Sequence, residues 1–205
     1  MIEIKNLSKM YKGEFLYRNF NCAFEENKVN VILGSSGSGK TTLFRMMLGL
    51  EKYEAGQILG FNHKKIAVVF QEDRLVEWMN VYDNVAFVLK SSVEKQEMDK
   101  LINKALELVE LIDYVNYSVK DLSGGMQRRV VLARAIVCRD SILFMDEPFK
   151  GLDDELRLRI ITRLKVHWRE NRTTVFLITH NQQEGMLLGD IIYKLAEKPV
   201  KFYKI

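Results

Sequence analysis

The sequence lacks the features that mark membrane-spanning, secreted and disordered proteins. Its longest uninterrupted apolar runs, Ile66–Phe70 and Val85–Leu89, are five residues long, whereas a membrane-crossing helix needs about 20. Charged residues interrupt Met1–Lys5, where a signal peptide begins to build its apolar core. Two prolines in 205 residues leave little room for linkers or low-complexity segments. We therefore expect a single folded domain that stays outside the lipid.

Neither cysteine nor charge marks a functional site. Cys22 and Cys138 stand beside apolar residues without the spacing of a metal site, so we expect buried free thiols in a reducing cytoplasm. The formal net charge is +4. Its basic groups, Lys64–Lys65, Arg128–Arg129 and Arg157–Arg169, are interpreted as solvated helix or loop faces. A nucleic-acid footprint usually concentrates on one face or in one run, so nucleic acid is not expected as a partner.

Short apolar runs alternate with helical patterns, which predicts βαβ units and a mostly parallel sheet. The first run, Val29–Leu33, precedes a glycine-rich turn and a helix over Lys40–Leu50, whose apolar positions are Leu43, Met46, Met47 and Leu50. Three further runs are predicted to be central strands covered on both faces: Ile66–Phe70, Ile142–Met145 and Thr174–Ile178. A later helix, from about Asp153 to Glu170, carries one apolar face, formed by Leu156, Ile160, Leu164 and Trp168.

Two parts of the chain depart from this alternation. Ile2–Ile4 and Phe20–Phe24 are short and partly alternating, which suits an N-terminal antiparallel edge sheet. Residues 95–112 carry an apolar stripe opposite Glu and Lys side chains, formed by Met98, Leu101, Ala105, Leu108 and Ile112. The predicted fold class is α/β, with a mostly parallel central sheet, the edge sheet, and a helical lobe inserted at residues 72–120.

The segment Gly34-Ser-Ser-Gly-Ser-Gly-Lys40-Thr41 matches the phosphate-loop pattern, with a strand before it and a helix after it. Its glycines let successive backbone N–H groups face a phosphate, and the helix adds the positive end of its dipole. We expect Lys40 to reach the β- and γ-phosphates, and the Thr41 hydroxyl to ligate Mg²⁺. The predicted nucleotide contacts are Gly34, Ser35, Ser36, Gly37, Ser38, Gly39, Lys40, Thr41 and Thr42. A flexible Gly/Ser linker, the alternative, would not stand between an apolar strand and a helix.

An acidic pair, Asp146–Glu147, ends the apolar strand Ile142–Met145. Asp146 suits the Mg²⁺ shell, and Glu147, one residue further, can polarise an attacking water as general base. By itself the pair would be interpreted as an ordinary exposed strand end. Together with the phosphate loop it predicts nucleotide hydrolysis, and a P-loop NTPase core formed by residues 1–71 and 121–205.

The segment Leu122-Ser-Gly-Gly-Met-Gln127, directly before a helix, narrows the class. At this point the sequence resembles the ATP-binding-cassette (ABC) family, and the resemblance covers essentially the whole chain. It implies an ATPase in which Tyr11 stacks on adenine, and Gln71 and His180 act beside Glu147 at the γ-phosphate. It also implies a magnesium shell of Thr41, Gln71 and Asp146, and an inter-subunit loop ending at Asp153. Lys150–Gly151 departs from the small-residue pair usual before that loop's Leu-Asp.

Some of these residues have a plainer interpretation when each is taken alone. Tyr11 would more often be a surface or rim aromatic residue. Gln71 would be an ordinary polar strand end. His180 would be a hydrogen-bonded structural histidine, which is the interpretation adopted here for His63 and His167. The family order of the motifs favours the functional interpretation for Gln71 and His180.

The signature segment is itself a helix N-terminus with free N–H groups, and is chemically a second anion site. The chain thus has two phosphate-binding elements but supporting residues for one nucleotide. The resemblance implies a head-to-tail homodimer of isologous symmetry. Each ATP would lie between the phosphate loop of one copy and the signature residues Ser123, Gly124, Gly125 and Gln127 of the other.

The resemblance further implies an ATPase subunit that drives a separate integral membrane permease, as a cytoplasmic protein on the inner face of the cell membrane. Leu75, Trp78 and Met79 are predicted permease contacts, because apolar surface marks partner sites; their alternative role is packing within the helical lobe. Residues 71–89, the LSGGM signature and Lys198–Pro199 resemble nitrate, sulfonate and taurine importers. That subfamily implies a solute-binding protein and a small anionic solute.

Two other functions remain open from the sequence. The chain could be the ATPase subunit of an exporter. It could also be a non-transport cassette ATPase acting on DNA or ribosomes, although such relatives usually carry long coiled-coil insertions or two cassettes in one chain.

Overall fold

The computed structural model of the protein describes residues 1–61, 64–89, 93–139, 141–196 and 199–204. His63 and Lys198, both used in the sequence analysis, lie outside these residues. The strands are β1 (Ile2–Tyr11), β2 (Glu14–Phe24), β3 (Val29–Leu33), β4 (Ala55–Leu59), β5 (Lys65–Val69), β6 (Ser141–Asp146), β7 (Thr174–Thr179), β8 (Ile191–Ala196) and β9 (Lys201–Lys204). The α-helices are α1 (Lys40–Met47), α2 (Val81–Ala86), α3 (Lys95–Leu108), α4 (Gly124–Ile136), α5 (Asp154–Glu170) and α6 (Gln182–Leu188).

The larger sheet has the strand order β5-β6-β7-β3-β8-β9. Its neighbouring strands are parallel from β5 to β8, and β9 is antiparallel to β8. Strands β3, β6 and β7 are buried along their whole length, as expected for parallel strands covered on both faces. The α/β prediction with a mostly parallel central sheet is confirmed. The carboxyl ends of β3, β6 and β7 lie side by side, and predicted site residues lie at or directly after them.

The prediction that Ile66–Phe70 is a central strand is wrong. Strand β5 stands at one edge of the sheet, beside β6 alone. Its Ile66 side chain is 39% exposed, and Lys65 is exposed as well. A continuous apolar run does not distinguish an edge strand from a central one, because both bury much of their surface.

The N-terminal strands form a separate antiparallel sheet in the order β2-β1-β4, which confirms the predicted edge sheet and lengthens it. A hydrophobic cluster lies between this sheet and the larger one. It includes Phe24 of β2, Phe44 of α1, and the stacked rings of Phe144 and Phe176, whose centroids are 4.7 Å apart. Helix α1, which follows the glycine-rich loop, is thereby anchored between the two sheets.

Two predicted helices end earlier than expected. Helix α1 ends at Met47 because Gly49 adopts a left-handed conformation (φ 69°) and its N–H and that of Leu50 bind back to the last turn. Leu50 is therefore 54% exposed and does not belong to the buried face. Helix α3 ends at Leu108, and Ile112 begins a short 3₁₀ turn, Ile112–Tyr114, rather than extending the apolar stripe.

Helices α2, α3 and α4 lie between β5 and β6 in the chain and pack on one another, and α3 also packs on α5. Helix α5 has the predicted apolar face, since Ile160, Leu164 and Trp168 are buried in the same cluster. The two cysteines, Cys22 and Cys138, are free as expected, but both are half-buried rather than buried. Across the described ranges, none of the helices has the length and apolar character needed to cross a bilayer.

Candidate nucleotide-binding site

The loop between β3 and α1 wraps around the side chain of Lys40. The Lys40 Nζ is buried and donates hydrogen bonds to the carbonyl oxygens of Gly34, at 2.7 Å, and Ser35, at 2.8 Å. Gly37 and Gly39 have φ angles of 75° and 99°, in a region that other residues rarely adopt. The curvature of the loop therefore depends on these glycines, and the loop is closed around a cation.

Two carboxylates face this cation. Burial lowers the pKa of the Lys40 ammonium, and the carboxylates of Glu147 and Asp146 oppose that shift. Burial also raises the pKa of Asp146, while hydrogen bonding from Thr41 and the charge of Lys40 act in the opposite direction. The ends of β3 and β6 thus bring a cation and two acids into one site.

The predicted magnesium ligands Thr41 and Asp146 are in direct contact. The Thr41 hydroxyl donates to Asp146 Oδ2 at 2.8 Å, and both side chains line the same pocket as Gln71. Hydroxyl, carboxylate and amide oxygens are the donors that Mg²⁺ prefers, and Mg²⁺ commonly uses one or two carboxylates together with substrate phosphates. In the described residues no group of three or more His, Cys, Asp or Glu side chains forms a metal cage. The donor set fits Mg²⁺ held jointly by protein and phosphate.

Glu147 and His180 form a second contact across neighbouring strands. His180 Nδ1 lies 2.8 Å from Glu147 Oε1, although the imidazole is otherwise largely exposed. Glu147 has a left-handed backbone (φ 50°), and its N–H donates to the Ile178 carbonyl at 3.0 Å. Such backbone strain in a residue other than glycine tends to occur at functional sites. In this conformation the Glu147 carboxylate contacts His180.

These residues surround one pocket of about 630 Å³. The predicted site residues that line it are Tyr11, Ser36, Gly37, Gly39, Lys40, Thr41, Thr42, Gln71, Asp146, Glu147 and His180. Leu16 and Lys150 also line it and were not predicted. Gly34 and Ser35 contribute through the carbonyl oxygens that bind Lys40, and Ser38 is buried within the loop.

Tyr11 lies at the rim of this pocket and contacts two residues that do not line the pocket. Its hydroxyl donates to Glu51 Oε1 at 3.2 Å, and the Lys9 ammonium lies 4.8 Å from its ring centroid. Tyr11 is 46% exposed. A ring fixed in this way, with exposed surface at the pocket, suits stacking on a purine.

The signature residues do not line this pocket in the same copy of the chain. Ser123 caps α4 by accepting a hydrogen bond from the Met126 N–H, and Gly125 lies so close to Gly151 that a Cβ there would be 3.1 Å from the Gly151 carbonyl oxygen. The Gln127 amide points inward and donates to the carbonyls of Val119 and Leu122. Gln127 therefore shapes the signature loop through these bonds.

Arg128 differs most from its predicted environment. The sequence predicts a solvated face for the Arg128–Arg129 doublet, yet the Arg128 side chain is 3% exposed. Its guanidinium donates to five oxygens: the carbonyls of Phe70, Asp146, Glu147 and Pro148, and Asp73 Oδ1. Arg128 thus joins the signature helix to both the Gln71 segment and the acidic pair. Helical spacing to the buried Val131 and Leu132 was the signal that could have revealed it.

Its neighbour Arg129 is also not solvated. Arg129 is half-buried and donates to the carbonyl oxygens of Val109 and Glu110. Asp153, the predicted inter-subunit residue, is exposed, and its carboxylate caps α5 by accepting from the Leu156 N–H at 2.9 Å.

The segment predicted to contact a permease lies after β5. Trp78 is 84% exposed, whereas Leu75 packs against the hydrophobic cluster and Met79 is half-buried. The buried amide of Asn84 fixes this segment, because it accepts from the Val76 N–H and donates to the Val76 carbonyl oxygen. Trp78 is therefore presented by a fixed loop, while Leu75 takes the alternative role of packing.

A parallel sheet with a phosphate loop after β3 and an acidic pair after β6 defines a P-loop nucleotide hydrolase. Comparison with known proteins narrows this class. The sequence profile described as ABC transporter matches residues 17–150. The chain belongs to the ABC transporter family.

Individual relatives agree with this assignment. The spermidine/putrescine import ATP-binding protein PotA of Spiroplasma citri is 35% identical over 211 residues. That match covers 98% of this chain but 60% of PotA, so the chain spans about three fifths of the length of that relative.

Solved structures show the same fold. The chain is 29% identical to the dimeric structure of MJ0796, a bacterial ABC transporter cassette, with a TM-score of 0.83 over 95% of this chain and 94% of that one. It is 28% identical to the dimeric post-hydrolysis state of MJ0796 bound to ADP and Pi, with a TM-score of 0.87 over 100% and 98% of the two chains.

Proposed function

We propose that this chain is the ATP-hydrolysing subunit of an ABC importer, and that it works as a head-to-tail homodimer on a separate membrane permease. The observation that carries the dimer is the division of the site: the phosphate loop, acidic pair and His180 line one pocket, and Ser123, Gly124 and Gly125 lie outside it. A second copy facing the pocket would supply its own signature helix N-terminus to the γ-phosphate.

Within each site the residues take distinct roles. Lys40 and the loop N–H groups bind the phosphates, and Thr41, Asp146 and Gln71 hold Mg²⁺, which neutralises phosphate charge when bound. Glu147 accepts a proton from the attacking water as general base, and His180 orients the Glu147 carboxylate through their 2.8 Å contact. Tyr11 supports the adenine. We propose residues 72–120 as the helical lobe that carries the permease contact and precedes the signature.

Mixing two inactive variants tests the composite site. Lys40→Met removes phosphate binding in one copy, and Ser123→Arg blocks the signature helix N-terminus in the other. Each variant alone should lose ATPase activity. A mixture should regain part of it, because one site of each mixed dimer combines the intact phosphate loop of one copy with the intact signature of the other. Failure to regain any activity, with both variants folded and mixed dimers present, would exclude the shared site.

The membrane side of the proposal rests on the exposed Trp78 and on the importer named among the relatives. The subunit would dock on the inner face of the cell membrane, and a solute-binding protein would complete the system. Co-purification with a polytopic membrane protein encoded beside this chain supports transport. ATPase activity stimulated by DNA or ribosomes would contradict it.

The cargo is a separate part of the proposal, because the solute is bound by other subunits. The resemblance of residues 71–89 to nitrate, sulfonate and taurine importers predicts a small anionic solute. The name of the relative PotA refers to spermidine and putrescine, which are cations. Uptake of labelled taurine and labelled putrescine by the reconstituted complex distinguishes the two classes.

A further inference from the structure

The side chain of His180 makes few contacts. The imidazole is 72% exposed and touches Glu147. Its position is therefore set by the residues on either side, Thr179 and Asn181. The Thr179 hydroxyl is fully buried, donates to Glu184 Oε2 at 2.6 Å, and accepts from the Asn181 N–H at 3.0 Å. These two bonds fix the backbone immediately before and immediately after His180.

Asn181 extends the same arrangement into α6. Its side-chain oxygen accepts from the N–H groups of Gln183, at 2.9 Å, and Glu184, at 3.3 Å, and so begins the helix. Helix α6 in turn carries the carboxylate that binds Thr179. The segment from Thr179 to Glu184 is therefore a closed ring of hydrogen bonds around the residue that meets Glu147.

Glu184 is a buried acid that the proposed hydrolysis steps do not use. It is 6% exposed, and its second oxygen, Oε1, lies 3.6 Å from Arg157 Nε on α5. Burial raises the pKa of Glu184, and the Thr179 hydroxyl and the Arg157 charge oppose that shift. Since a buried carboxylate without a cation is costly, Arg157 favours its charged form.

Arg157 connects this ring to the start of α5. Its Nη2 lies 2.8 Å from Asp154 Oδ1, one turn earlier on the same helix. Asp154 directly follows Asp153, the predicted inter-subunit residue, which caps α5. A continuous series of polar contacts therefore runs from the first turn of α5 through Arg157, Glu184 and Thr179 to the backbone of His180.

We propose that Glu184 is a positioning residue for ATP hydrolysis: together with Arg157 and Thr179 it holds His180 against Glu147 and couples that contact to the first turn of α5. The inference rests on the proposed function, because it assumes that the Glu147–His180 contact serves hydrolysis.

Two near-isosteric variants test this role. Glu184→Gln keeps the volume but removes the charge that pairs with Arg157, and Thr179→Val removes the hydroxyl that Glu184 binds. Each should lower kcat by about 10- to 100-fold, the usual effect of a small misplacement of a catalytic group. KM for ATP and the affinity for a fluorescent ATP analogue should stay near the wild-type values, because Lys40 and its loop are untouched.

Rescue and coupling separate positioning from a general structural effect. Thr179→Ser restores the hydroxyl and should recover most of kcat. The double variant should lose less than the two single losses combined, because the Thr179 hydroxyl and the Arg157 charge act on the same side chain. The matched controls are Glu107→Gln and Thr162→Val, at exposed positions outside the site, which should leave kcat unchanged.

The outcomes distinguish the inference from the function on which it rests. A wild-type protein without Mg²⁺-dependent ATPase activity contradicts the proposed function. An active wild-type protein whose Glu184→Gln variant keeps its kcat contradicts the positioning role. A parallel loss of kcat and analogue affinity also contradicts it, because that result indicates a disturbed fold. If Thr179→Val does not fold, the Glu184→Gln result decides alone.

Discussion

The imidazole Nδ1 of His180 and the carboxylate Oε1 of Glu147 are 2.8 Å apart, although the two residues are 33 positions apart in the chain. Each follows the end of a buried strand, β6 for Glu147 and β7 for His180, and these strands are neighbours in the sheet. The contact is therefore a product of strand order. It places a carboxylate and an imidazole together at the edge where Lys40 also lies.

Replacing Glu147 by Gln should abolish turnover while sparing ATP binding. The amide keeps the shape of the side chain but cannot accept a proton from water, and loss of a general base typically lowers the rate by about 10²–10⁴-fold. Phosphate release measures the rate, and gel filtration with ATP should show a persistent dimer. Full ATPase activity in this variant would remove Glu147 from the role of base.

Replacing Arg128 by Met should destabilise the protein strongly. The change leaves four backbone carbonyls without their donor and Asp73 without its cation. Removing this buried guanidinium, with its partly exposed carboxylate partner and its four carbonyl acceptors, should cost about 3–5 kcal/mol, which urea unfolding with a constant m-value would measure.

The matched control for Arg128 is Arg139→Met. Arg139 also pairs with an acid, Glu97, but its side chain is 61% exposed. Exposed pairs contribute about 0–1 kcal/mol, so this variant should unfold at nearly the wild-type urea concentration. An equal decrease in the free energy of unfolding of the two variants would show that the hydrogen bonds of Arg128 stabilise the protein no more than an exposed ion pair does.

His167 should make the protein less stable in mild acid. Burial lowers the pKa of its imidazole below the ordinary value of 6.5, and Lys104 adds to this effect. The unfolded chain then binds more protons than the folded one as the pH falls below 6.5, so folding stability falls in that range.

A His167→Gln variant isolates this contribution. Both proteins are unfolded in urea at about pH 7.5 and about pH 5.5, which lie on either side of the ordinary histidine pKa. Between these two conditions the free energy of unfolding should fall less in the variant than in the wild type. An identical pH dependence in the two proteins would rule out His167 as its source.

Trp78→Ala should weaken binding to the permease and leave basal ATPase activity intact. The indole is 84% exposed on a loop held by Asn84, so its removal disturbs little within the subunit. Recovery of the complex from detergent extracts measures the effect, with Tyr203→Ala on the exposed strand β9 as the matched control. Unchanged recovery of the complex would place the permease elsewhere.

The parts of the site that the residues alone predict are those close together in the chain, whereas Tyr11, Gln71 and His180 are predicted only through the family resemblance. Gly34 to Thr42 and Asp146–Glu147 are recognisable because strand, turn and helix follow one another directly. The edge position of β5 is not recognisable in this way, since strand order depends on contacts between distant segments. The same reason hides Arg128, whose partners Phe70 and Pro148 stand 58 and 20 positions away.

Side-chain direction is the other quantity that the sequence leaves open. Gln127 belongs to the signature motif, yet its amide binds Val119 and Leu122 of its own chain. Leu50 follows the helical spacing of α1, yet Gly49 ends the helix before it. In both cases a local hydrogen bond decides the outcome, and apolar periodicity carries no information about such bonds.

The sequence contains two tryptophans, and they occupy opposite environments. Trp78 is almost fully in water, whereas Trp168, on the buried face of α5, is 2% exposed. The protein therefore carries its own pair of optical reporters. In a Trp168→Phe background, quenching of Trp78 by iodide would report whether the proposed permease contact at Trp78 is occupied. In a Trp78→Phe background, the emission of Trp168 would follow unfolding of the core, and neither measurement would need an added label.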